Sequence, residues 1–274
     1  MPILLNGRAL ALNLRAELKN KVTQLTITPR LGVILVGDDP ASHLYVSLKE
    51  RAAREVGIAV EKILMPKNST TEQVIEQVQK FNQRPNIHGI LVQLPLPDQI
   101  NEHEVIAAMD PTKDADGFHP QNLKKLTRNK PAIIPGVSSG IVKLIELSGQ
   151  ALKDKRACLI VNSDEFAKPL TKLLENAGVK VDVKHSAEPA ELGEADIIVV
   201  AIGQPGVIKG EFVKDGSIII DVGTTKVGEK VMGDVDATSL SGRHVYLTPV
   251  PGGVGPMTVA MLLWNMYTLA KRLA

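Results

Sequence analysis

The chain has 274 residues, which exceeds the usual single-domain core and favours two domains of ordinary size. Its formal net charge is +2, and so balanced a charge argues against a protein that binds nucleic acid or a membrane surface. The longest apolar run, residues 195–202, is too short to span a bilayer, and the first eight residues lack the pattern of a targeting leader, so we expect a cytoplasmic protein.

Helix and strand patterns alternate along the first part of the chain. The apolar spacing predicts helices over residues 9–24, 42–56 and 71–81, and strands over residues 31–36, 59–65 and 89–93. A short helix over 102–108, a polar turn over 110–119 and a helix over 137–147 are expected to follow. Such alternation predicts a parallel sheet covered by helices.

A second alternating block begins after residue 150. Its apolar runs predict strands over residues 157–161, 179–183, 196–201 and 217–222, and a helix over 168–177. This block is typical of a small doubly wound domain of the Rossmann type. The single cysteine, Cys158, falls inside the first of these strands, so we expect a buried side chain and no disulfide within the chain.

The stretch from residue 248 to 258 combines glycine and proline before a last helix. Gly252, Gly253 and Gly255 permit close approach of a ligand, and Pro256 stands where the first residue of a helix over 257–273 is expected. The free N–H groups at such a helix start favour a phosphate, a carboxylate or a polar ring edge. The alternative is a plain turn before a terminal helix.

Two strands of the first block lead into polar side chains. Ser42 is the expected N-cap of the helix over 42–56, which places Tyr45 and Lys49 on one helical face. Gln93 closes the strand over 89–93, and the carboxyl ends of parallel strands share one edge of a sheet, so we expect Lys49 and Gln93 to meet there. A solvated lysine over a tyrosine ring is the plainer interpretation of the helix pair alone.

The segments after Gln93 restrict the backbone and supply carboxylates. A proline cannot continue a central strand, so the strand must stop before Pro95, and a cis peptide bond is expected before Pro95 or before Pro251. The turn with Asp114 and Asp116 lacks the further oxygen ligands of a calcium loop, and the histidines show no paired spacing, so we expect no metal site. Two roles stay open for these carboxylates: stabilising the turn, or accepting N–H groups of a ligand.

Four motifs together resemble one enzyme family. They are YxxxK at residues 45–49, GILVQLPLP at 89–97, KDADGFHP at 113–120 and PVPGGVGPMT at 249–258. They resemble the bifunctional methylenetetrahydrofolate dehydrogenase/methenyltetrahydrofolate cyclohydrolase family, in family order and over essentially the whole chain. The resemblance implies two α/β domains flanking a cleft, a last helix that returns to the first domain, and a homodimer.

The resemblance also implies a division of labour. Residues 1–134 with 256–274 would form the folate-binding, catalytic domain, and residues 135–255 a Rossmann-like dinucleotide-binding domain. A hydride would pass from 5,10-methylenetetrahydrofolate to NADP, and the resulting methenyl cation would be hydrolysed to 10-formyltetrahydrofolate. The partners would be one-carbon derivatives of tetrahydrofolate.

The family pattern assigns roles to residues of the first block. It implies Lys49 as the catalytic lysine and Gln93 as its tuning partner. It implies Tyr45 as a ring that positions the substrate and Asp116 as the acceptor for the N–H edge of the pterin. A lysine beside a bound cation in a partly dry site should have a lowered pKa, which suits a proton shuttle near neutral pH. The glycine-rich loop adds substrate-binding candidates: Pro251, Gly252, Gly253, Gly255 and Thr258.

The cofactor half departs from the family pattern. The family's Gly-Arg-Ser segment reads Val161-Asn162-Ser163 here, and a second family glycine is Ala167, so both glycines are replaced. Asp164 and Glu165 would repel the 2′-phosphate that distinguishes NADP. A second family arginine is missing from His185-Ser186-Ala187-Glu188.

Other cofactor features persist in the turns at residues 201–205 and 221–224. The resemblance therefore gives these candidate cofactor-binding residues: Asn162, Ser163, Asp164, His185, Ser186, Ala201, Ile202, Gly203, Asp221, Gly223 and Thr224. Three interpretations stay open: a bifunctional enzyme with a rearranged NADP pocket, an enzyme that uses NAD, and a cyclohydrolase with a vestigial cofactor domain that binds none. A folate-binding protein without turnover is a fourth, which the intact catalytic set disfavours.

Overall fold

The computed structural model describes residues 2–131, 133–186 and 192–273, which form a two-unit α/β fold built on parallel sheets. The expected fold class is confirmed. The two units consist of Leu12–Gly136 with Val259–Ala274, and of Met1–Ala11 with Val137–Thr258. We find no helix with the length and apolar character needed to cross a membrane in the described part of the chain.

The predicted helices and strands are present, with ends that shift by at most four residues. The described strands are β1 (Ile3–Leu4), β2 (Arg30–Val36), β3 (Ala59–Met65), β4 (Gly89–Val92), β5 (Arg156–Val161), β6 (Lys180–Lys184), β7 (Ile197–Ala201), β8 (Ile218–Asp221), β9 (Thr225–Val227), β10 (Lys230–Met232) and β11 (Tyr246–Leu247). The described α-helices are α1 (Gly7–Val22), α2 (Pro40–Glu55), α3 (Thr71–Asn82), α4 (Glu102–Ala107), α5 (Pro120–Thr127), α6 (Gly136–Glu146), α7 (Asp164–Asn176) and α8 (Val254–Lys271). Gly210–Phe212 is a short 3-10 helix.

A three-stranded parallel sheet in the order β3-β2-β4 organises the unit of Leu12–Gly136 and Val259–Ala274. Side chains of β2 alternate between two cores, with Val33 and Leu35 in one and Ile34 and Val36 in the other. The later part of α8 supplies apolar side chains to the core that holds Val33. The central strand is therefore buried on both faces, as its continuous apolar sequence predicts.

A six-stranded parallel sheet in the order β1-β11-β8-β7-β5-β6 organises the other unit. The chain runs from β5 out to β6 and then returns past β5 to β7. The connections that follow β5 and β7 therefore diverge, which opens a crevice at the carboxyl ends of these strands, where dinucleotides bind in doubly wound folds. Cys158 lies in β5 and is 4% exposed, which confirms the expected burial.

Three predicted helix starts need correction. Ser42 is not the N-cap of α2, because the Asp39 carboxylate accepts the Ser42 N–H at 2.8 Å and Pro40 occupies the first helical turn. Helix α7 begins at Asp164, because the Ser163 hydroxyl accepts the Phe166 N–H at 3.2 Å and caps the helix there.

The third correction concerns the last helix, which begins at Val254 and not at residue 257. Pro256 is consequently its third residue, where the missing N–H removes no intrahelical bond. The expected cis peptide bonds are present before both Pro95 and Pro251.

Several short elements escaped prediction. Strands β1 and β11 have two residues each, and β9 with β10 forms a hairpin of three-residue strands. Ile3 pairs with Tyr246 in the six-stranded sheet, so the first eleven residues group with that sheet, whereas the predicted division placed them with residues 12–134. Helix α5 also went unpredicted, because its apolar pattern is only two turns long.

Candidate active site

Lys49 and Gln93 meet at the carboxyl edge of the three-stranded sheet. Lys49, on α2, is 8% exposed and its Nζ donates a hydrogen bond to Oε1 of Gln93 at 2.9 Å. Gln93 follows β4 and its N–H donates to the Ile34 carbonyl at 2.9 Å. The Gln93 amide nitrogen donates to the Leu94 carbonyl, which leaves Oε1 directed to the lysine. The predicted meeting of these two residues, 44 positions apart, is thus observed.

Burial shifts the pKa of Lys49 and the pKa of Asp116 in opposite directions. Burial lowers the pKa of Lys49, and the negative charge of Asp116 opposes this shift. Loss of hydration raises the pKa of the Asp116 carboxyl; the positive charge of Lys49 opposes that shift and the charge of Asp114 adds to it. The direction for the lysine is the one that the sequence predicted.

The two neighbouring carboxylates have different surroundings. Asp114 is 2% exposed and accepts hydrogen bonds from the Gly117 N–H, the His119 N–H and the Asn122 side chain, at 2.8, 2.9 and 2.9 Å. In the described parts of the chain, no group donates to the Asp116 carboxylate. Asp114 therefore stabilises the turn, and the oxygens of Asp116 are available to N–H groups of a ligand.

The loop that carries Asp116 is fixed by residues that sequence reasoning missed. Ala115 N–H donates to Ile90 O at 3.1 Å, which attaches the loop to β4. The Asn265 side chain, 8% exposed on α8, donates to the carbonyls of Ala115 and Ile134 at 3.0 and 2.8 Å. Lys113 Nζ donates to three carbonyls at the end of α3. An asparagine within the mostly apolar stretch 259–267 of this helix was the signal that could have identified Asn265.

Tyr45 lies one helical turn before Lys49 on α2. The residue is 38% exposed, so a large part of its ring can meet a ligand. Its neighbours on the same surface, Leu44 and Leu48, are also exposed, at 60% and 46%. This side of α2 therefore presents apolar and aromatic surface beside the buried lysine.

The glycine-rich loop belongs to the unit with the six-stranded sheet. Gly252 has φ of 114°, a backbone shape that other residues rarely adopt, and its carbonyl accepts the Arg8 N–H at 2.8 Å. Pro251 is exposed, whereas Gly253 is buried and Gly255 lies in the first turn of α8. The Thr258 hydroxyl donates to the Val254 carbonyl within the same helix, at 3.2 Å.

The loops after β5 and β7 are joined at the switch point of the six-stranded sheet. The Asn162 side-chain nitrogen donates to the Ile202 carbonyl at 2.9 Å. Gly203 has φ of 70° and an exposed, open position after Ala201, and Thr224 is also exposed. At the edge where a dinucleotide is expected, Gly203 and Thr224 are therefore exposed to a ligand, and one hydrogen bond joins the loops after β5 and β7.

The Asp164 carboxylate, predicted to repel a phosphate, is paired. It lies 3.3 Å from Lys168 Nζ and 3.5 Å from His185 Nε2. The other ring nitrogen of His185 lies 3.0 Å from the Val161 carbonyl and must donate to it. Ser186 is exposed, and the predicted positions Ala187 and Glu188 lie outside the described residues. Lys168 therefore compensates part of the acidic charge at this edge.

Two buried carboxylates lie behind the same edge. Asp221 accepts the N–H groups of Gly223 and Asp234, both at 3.0 Å, and of Val235 at 2.9 Å. Asp234 Oδ2 accepts the N–H groups of Ile202 and Gly203 at 2.8 and 3.0 Å. These two N–H groups are consequently not available to a ligand. Burial, with the nearby charge of Asp234, raises the pKa of Asp221 to about 6.

Metal ligands do not cluster in the described residues: no group of three or more His, Cys, Asp or Glu side chains there could hold an ion.

Comparison with known proteins identifies two matching family models. Residues 5–116 match the catalytic domain of tetrahydrofolate dehydrogenase/cyclohydrolase, and residues 135–274 match the NAD(P)-binding domain of the same family. The chain is 42% identical to the bifunctional protein FolD of Geotalea daltonii over 279 residues, which cover 99% of this chain and 100% of that protein.

Solved structures agree with this assignment. The bifunctional FolD methylenetetrahydrofolate dehydrogenase/cyclohydrolase of Campylobacter jejuni is 37% identical, with a TM-score of 0.95 and coverage of 100% of both chains. The Trypanosoma brucei enzyme, solved with NADP and an inhibitor, is 36% identical, with a TM-score of 0.94 and coverage of 99% of this chain and 98% of that one. The chain therefore belongs to the tetrahydrofolate dehydrogenase/cyclohydrolase family and acts in one-carbon folate metabolism as a methylenetetrahydrofolate dehydrogenase and methenyltetrahydrofolate cyclohydrolase.

Proposed function

We propose that Lys49 is the catalytic lysine in the hydrolysis of methenyltetrahydrofolate. It takes a proton from the attacking water and returns a proton to the departing ring nitrogen. The observation that carries this proposal is the buried hydrogen bond from Lys49 to Gln93. A buried lysine with a lowered pKa reaches its neutral form at a lower pH than an exposed lysine does. It can therefore accept a proton under conditions in which an ordinary lysine is charged.

The proton balance of the hydrolysis needs one such group. Water adds to the methenyl carbon and loses one proton to the neutral amine. The ring then opens as one nitrogen receives that proton and the new hydroxyl group loses its own proton to solvent, which leaves the formyl C=O of 10-formyltetrahydrofolate. A single amine that alternates between its neutral and charged forms performs both transfers. Gln93 keeps Nζ in place by accepting one of its hydrogens, as its own amide is fixed by the Leu94 carbonyl.

Substrate binding is proposed for the groups around this lysine. The free acceptor oxygens of Asp116 suit the N–H edge of a pterin, and the exposed ring of Tyr45 suits its flat face. The residues of the glycine-rich loop stay candidates on the family resemblance: Pro251, Gly252, Gly253, Gly255 and Thr258. We assign folate chemistry to the unit with the three-stranded sheet and cofactor binding to the unit with the six-stranded sheet.

NADP is the proposed cofactor. The carboxyl edge between β5 and β7 fits a dinucleotide, because the connections that follow the two strands diverge there and Gly203 and Thr224 are exposed. Asn162, Ser163, His185 and Ser186 would hold the cofactor on one side of this edge, and the turns after β7 and β8 on the other. Bound NADP would supply the hydride acceptor. Because Asp164 is paired with Lys168, its charge is a weaker obstacle to the 2′-phosphate than its sequence position indicates.

Assembly and location are part of the same proposal. Three apolar side chains of the β9–β10 hairpin, Val227, Val231 and Met232, are 41–48% exposed, and a homodimer would cover such a surface. The single cysteine excludes an intrachain disulfide, which suits a cytoplasmic enzyme. The net charge of +2 disfavours nucleic acid and a membrane surface as partners, and it is compatible with small folate derivatives.

Reduction of NADP and of NAD, measured side by side with 5,10-methylenetetrahydrofolate as the donor, tests the proposed cofactor. We expect turnover with NADP to exceed turnover with NAD by at least about tenfold, as charge recognition of one phosphate allows. Faster turnover with NAD would contradict the proposal of NADP and would identify NAD as the preferred cofactor. Hydrolysis of methenyltetrahydrofolate without turnover of either nucleotide would mean that the cofactor unit is vestigial.

A further inference from the structure

Two buried acids lie beneath the proposed cofactor edge without a described counter-ion. Asp234 is 0% exposed and Asp221 is 3% exposed, and neither forms an ion pair with a residue in the described ranges. Burying a carboxylate is costly unless it is paired or fully hydrogen-bonded. Here five backbone N–H groups provide part of the compensation, and Asp234 Oδ1 has no hydrogen-bond partner among the described residues. A pair of acids in such a position requires a reason beyond packing.

Asp234 contacts the part of the edge that carries the cofactor candidates. Its Oδ2 holds both N–H groups of the turn at Ile202 and Gly203, and its backbone N–H donates to Asp221 Oδ1. Asp221 Oδ1 in turn accepts the Gly223 N–H. One carboxylate pair therefore ties the turn after β7 to the turn after β8.

The connection reaches the third cofactor loop as well. Asn162, which replaces the family's arginine after β5, donates to the carbonyl of the same Ile202. Ile202 is thus held from both sides, by its N–H to Asp234 and by its carbonyl to Asn162. The loops after β5, β7 and β8 form one hydrogen-bonded network with Asp234 at its centre.

Two glycines pack directly against the two acids. A β-carbon at Gly223 would lie 2.5 Å from Asp234 Oδ1, and a β-carbon at Gly233 would lie 2.0 Å from Asp221 Oδ2. Real side chains do not approach so closely, so glycine is required at both positions. The carboxylates are consequently packed directly against the backbone of the turns that they hold.

We propose that Asp234 is a positioning residue for the cofactor half of the reaction, which fixes the Ile202–Gly203 turn so that its outer surface meets the dinucleotide. This inference rests on the proposed NADP site. Asp234 touches neither substrate nor cofactor. It acts through the turn, since a displaced turn disturbs alignment of the two reacting rings.

The test compares three variants of the full chain. Asp234→Ala removes the acceptor, and Asp234→Asn keeps one oxygen that can accept both N–H groups. Asp236→Ala removes a partly exposed carboxylate two residues later, whose donors among the described residues are Thr238 and Ser239. Amide hydrogen exchange at Ile202 and Gly203 is measured without cofactor, together with the NADP dissociation constant, the KM for NADP and the rate of methenyl hydrolysis.

We expect Asp234→Ala to accelerate amide exchange at Ile202 and Gly203 by at least about tenfold and to raise the NADP dissociation constant and KM by about tenfold. Hydrolysis should stay within about twofold, as should every readout in Asp236→Ala. Asp234→Asn should stay within about threefold of wild type in cofactor affinity, because its amide oxygen replaces the carboxylate as acceptor.

Unchanged amide exchange in Asp234→Ala, or faster exchange with unchanged NADP affinity, would overturn the inference. If Asp234→Ala does not fold, Asp234→Asn decides: protected amides with retained affinity support the acceptor role, and loss of both refutes it. Failure of the wild-type enzyme to bind NADP would instead remove the proposed cofactor, while amide exchange still reports on Asp234.

Discussion

Lys49 is the residue whose surroundings define the proposed hydrolysis. Replacing it with methionine keeps the length of the side chain and removes the amine, so Lys49→Met should lose the proton shuttle while the fold persists. We expect the rate of methenyl hydrolysis to fall by about 10²–10⁴-fold, the usual contribution of a positioned acid–base group. The rate is measured from the loss of methenyltetrahydrofolate absorbance.

The pH dependence of the hydrolysis rate tests the same role of Lys49. The neutral amine is the proton acceptor and burial lowers the lysine's pKa, so the wild-type rate should rise with pH at values below those of an ordinary lysine. Lys49→Met should lack this rise. Lys80→Met, which removes an exposed lysine paired with Glu76, is the control and should behave as wild type. Near-normal hydrolysis in Lys49→Met would remove the lysine from the mechanism.

At the same scale, the sequence predicted which residue types matter but not always their roles. The meeting of Lys49 and Gln93 followed from strand-end reasoning, because both positions are tied to neighbouring parallel strands. Asp114 and Asp116 could not be distinguished, since their difference depends on which backbone N–H groups the folded turn directs at each carboxylate. Asp234 was missed because its partners, Ile202 and Gly203, are more than 30 positions away.

Helix α8 donates hydrogen bonds to the active-site loop through the side-chain amide of Asn265. Asn265→Ala would leave the buried carbonyls of Ala115 and Ile134 without their described side-chain donor. We expect the free energy of unfolding to fall by about 1–3 kcal/mol and the KM for the folate substrate to rise, because the loop with Asp116 loses a constraint. Denaturant unfolding and steady-state kinetics measure the two effects.

Thr268→Ala is the matched control on the same helix. The Thr268 hydroxyl donates only to the Trp264 carbonyl of α8 itself, so its loss should change the unfolding free energy by no more than about 0.5 kcal/mol. An Asn265→Ala variant as stable as Thr268→Ala, with an unchanged KM, would show that the amide does not hold the loop.

Element prediction succeeded where burial dominates the pattern. Long apolar strands such as β2 and β7 are buried on both faces, and their sequences showed it. The two-residue strands β1 and β11 carry no period of their own and exist because the six-stranded sheet accepts them. The starts of α2 and α7 differ from the predicted ones because the geometry of the Asp39 and Ser163 side chains decides where each helix is capped.

The last helix determines whether one whole unit can fold. Deleting Val259–Ala274 removes five core side chains: Val259, Leu262, Leu263, Met266 and Leu269. Each stabilises the fold by about 1.5–3 kcal/mol on burial, so their joint loss is comparable with the whole stability of a domain. We expect the truncated chain to lose the cooperative thermal unfolding of the three-stranded unit, as measured by calorimetry.

A chain shortened by only residues 272–274 is the control for this deletion. Arg272 and Leu273 are exposed and lie outside the core, so the thermal transition should be preserved. A cooperative transition of the three-stranded unit in the longer deletion would show that the helix covers that core without being needed for it.

Because these core residues lie late in the chain, the core of the three-stranded unit is completed late during synthesis. The ribosome completes residues 12–136 early, yet their core closes only after Leu269 has emerged. At about 5–20 residues per second, the ribosome needs roughly ten seconds for the intervening segment. During that interval Leu31, Val33 and Leu35 lack the contacts that α8 provides, so the three-stranded sheet is synthesised early but is packed completely only at the end.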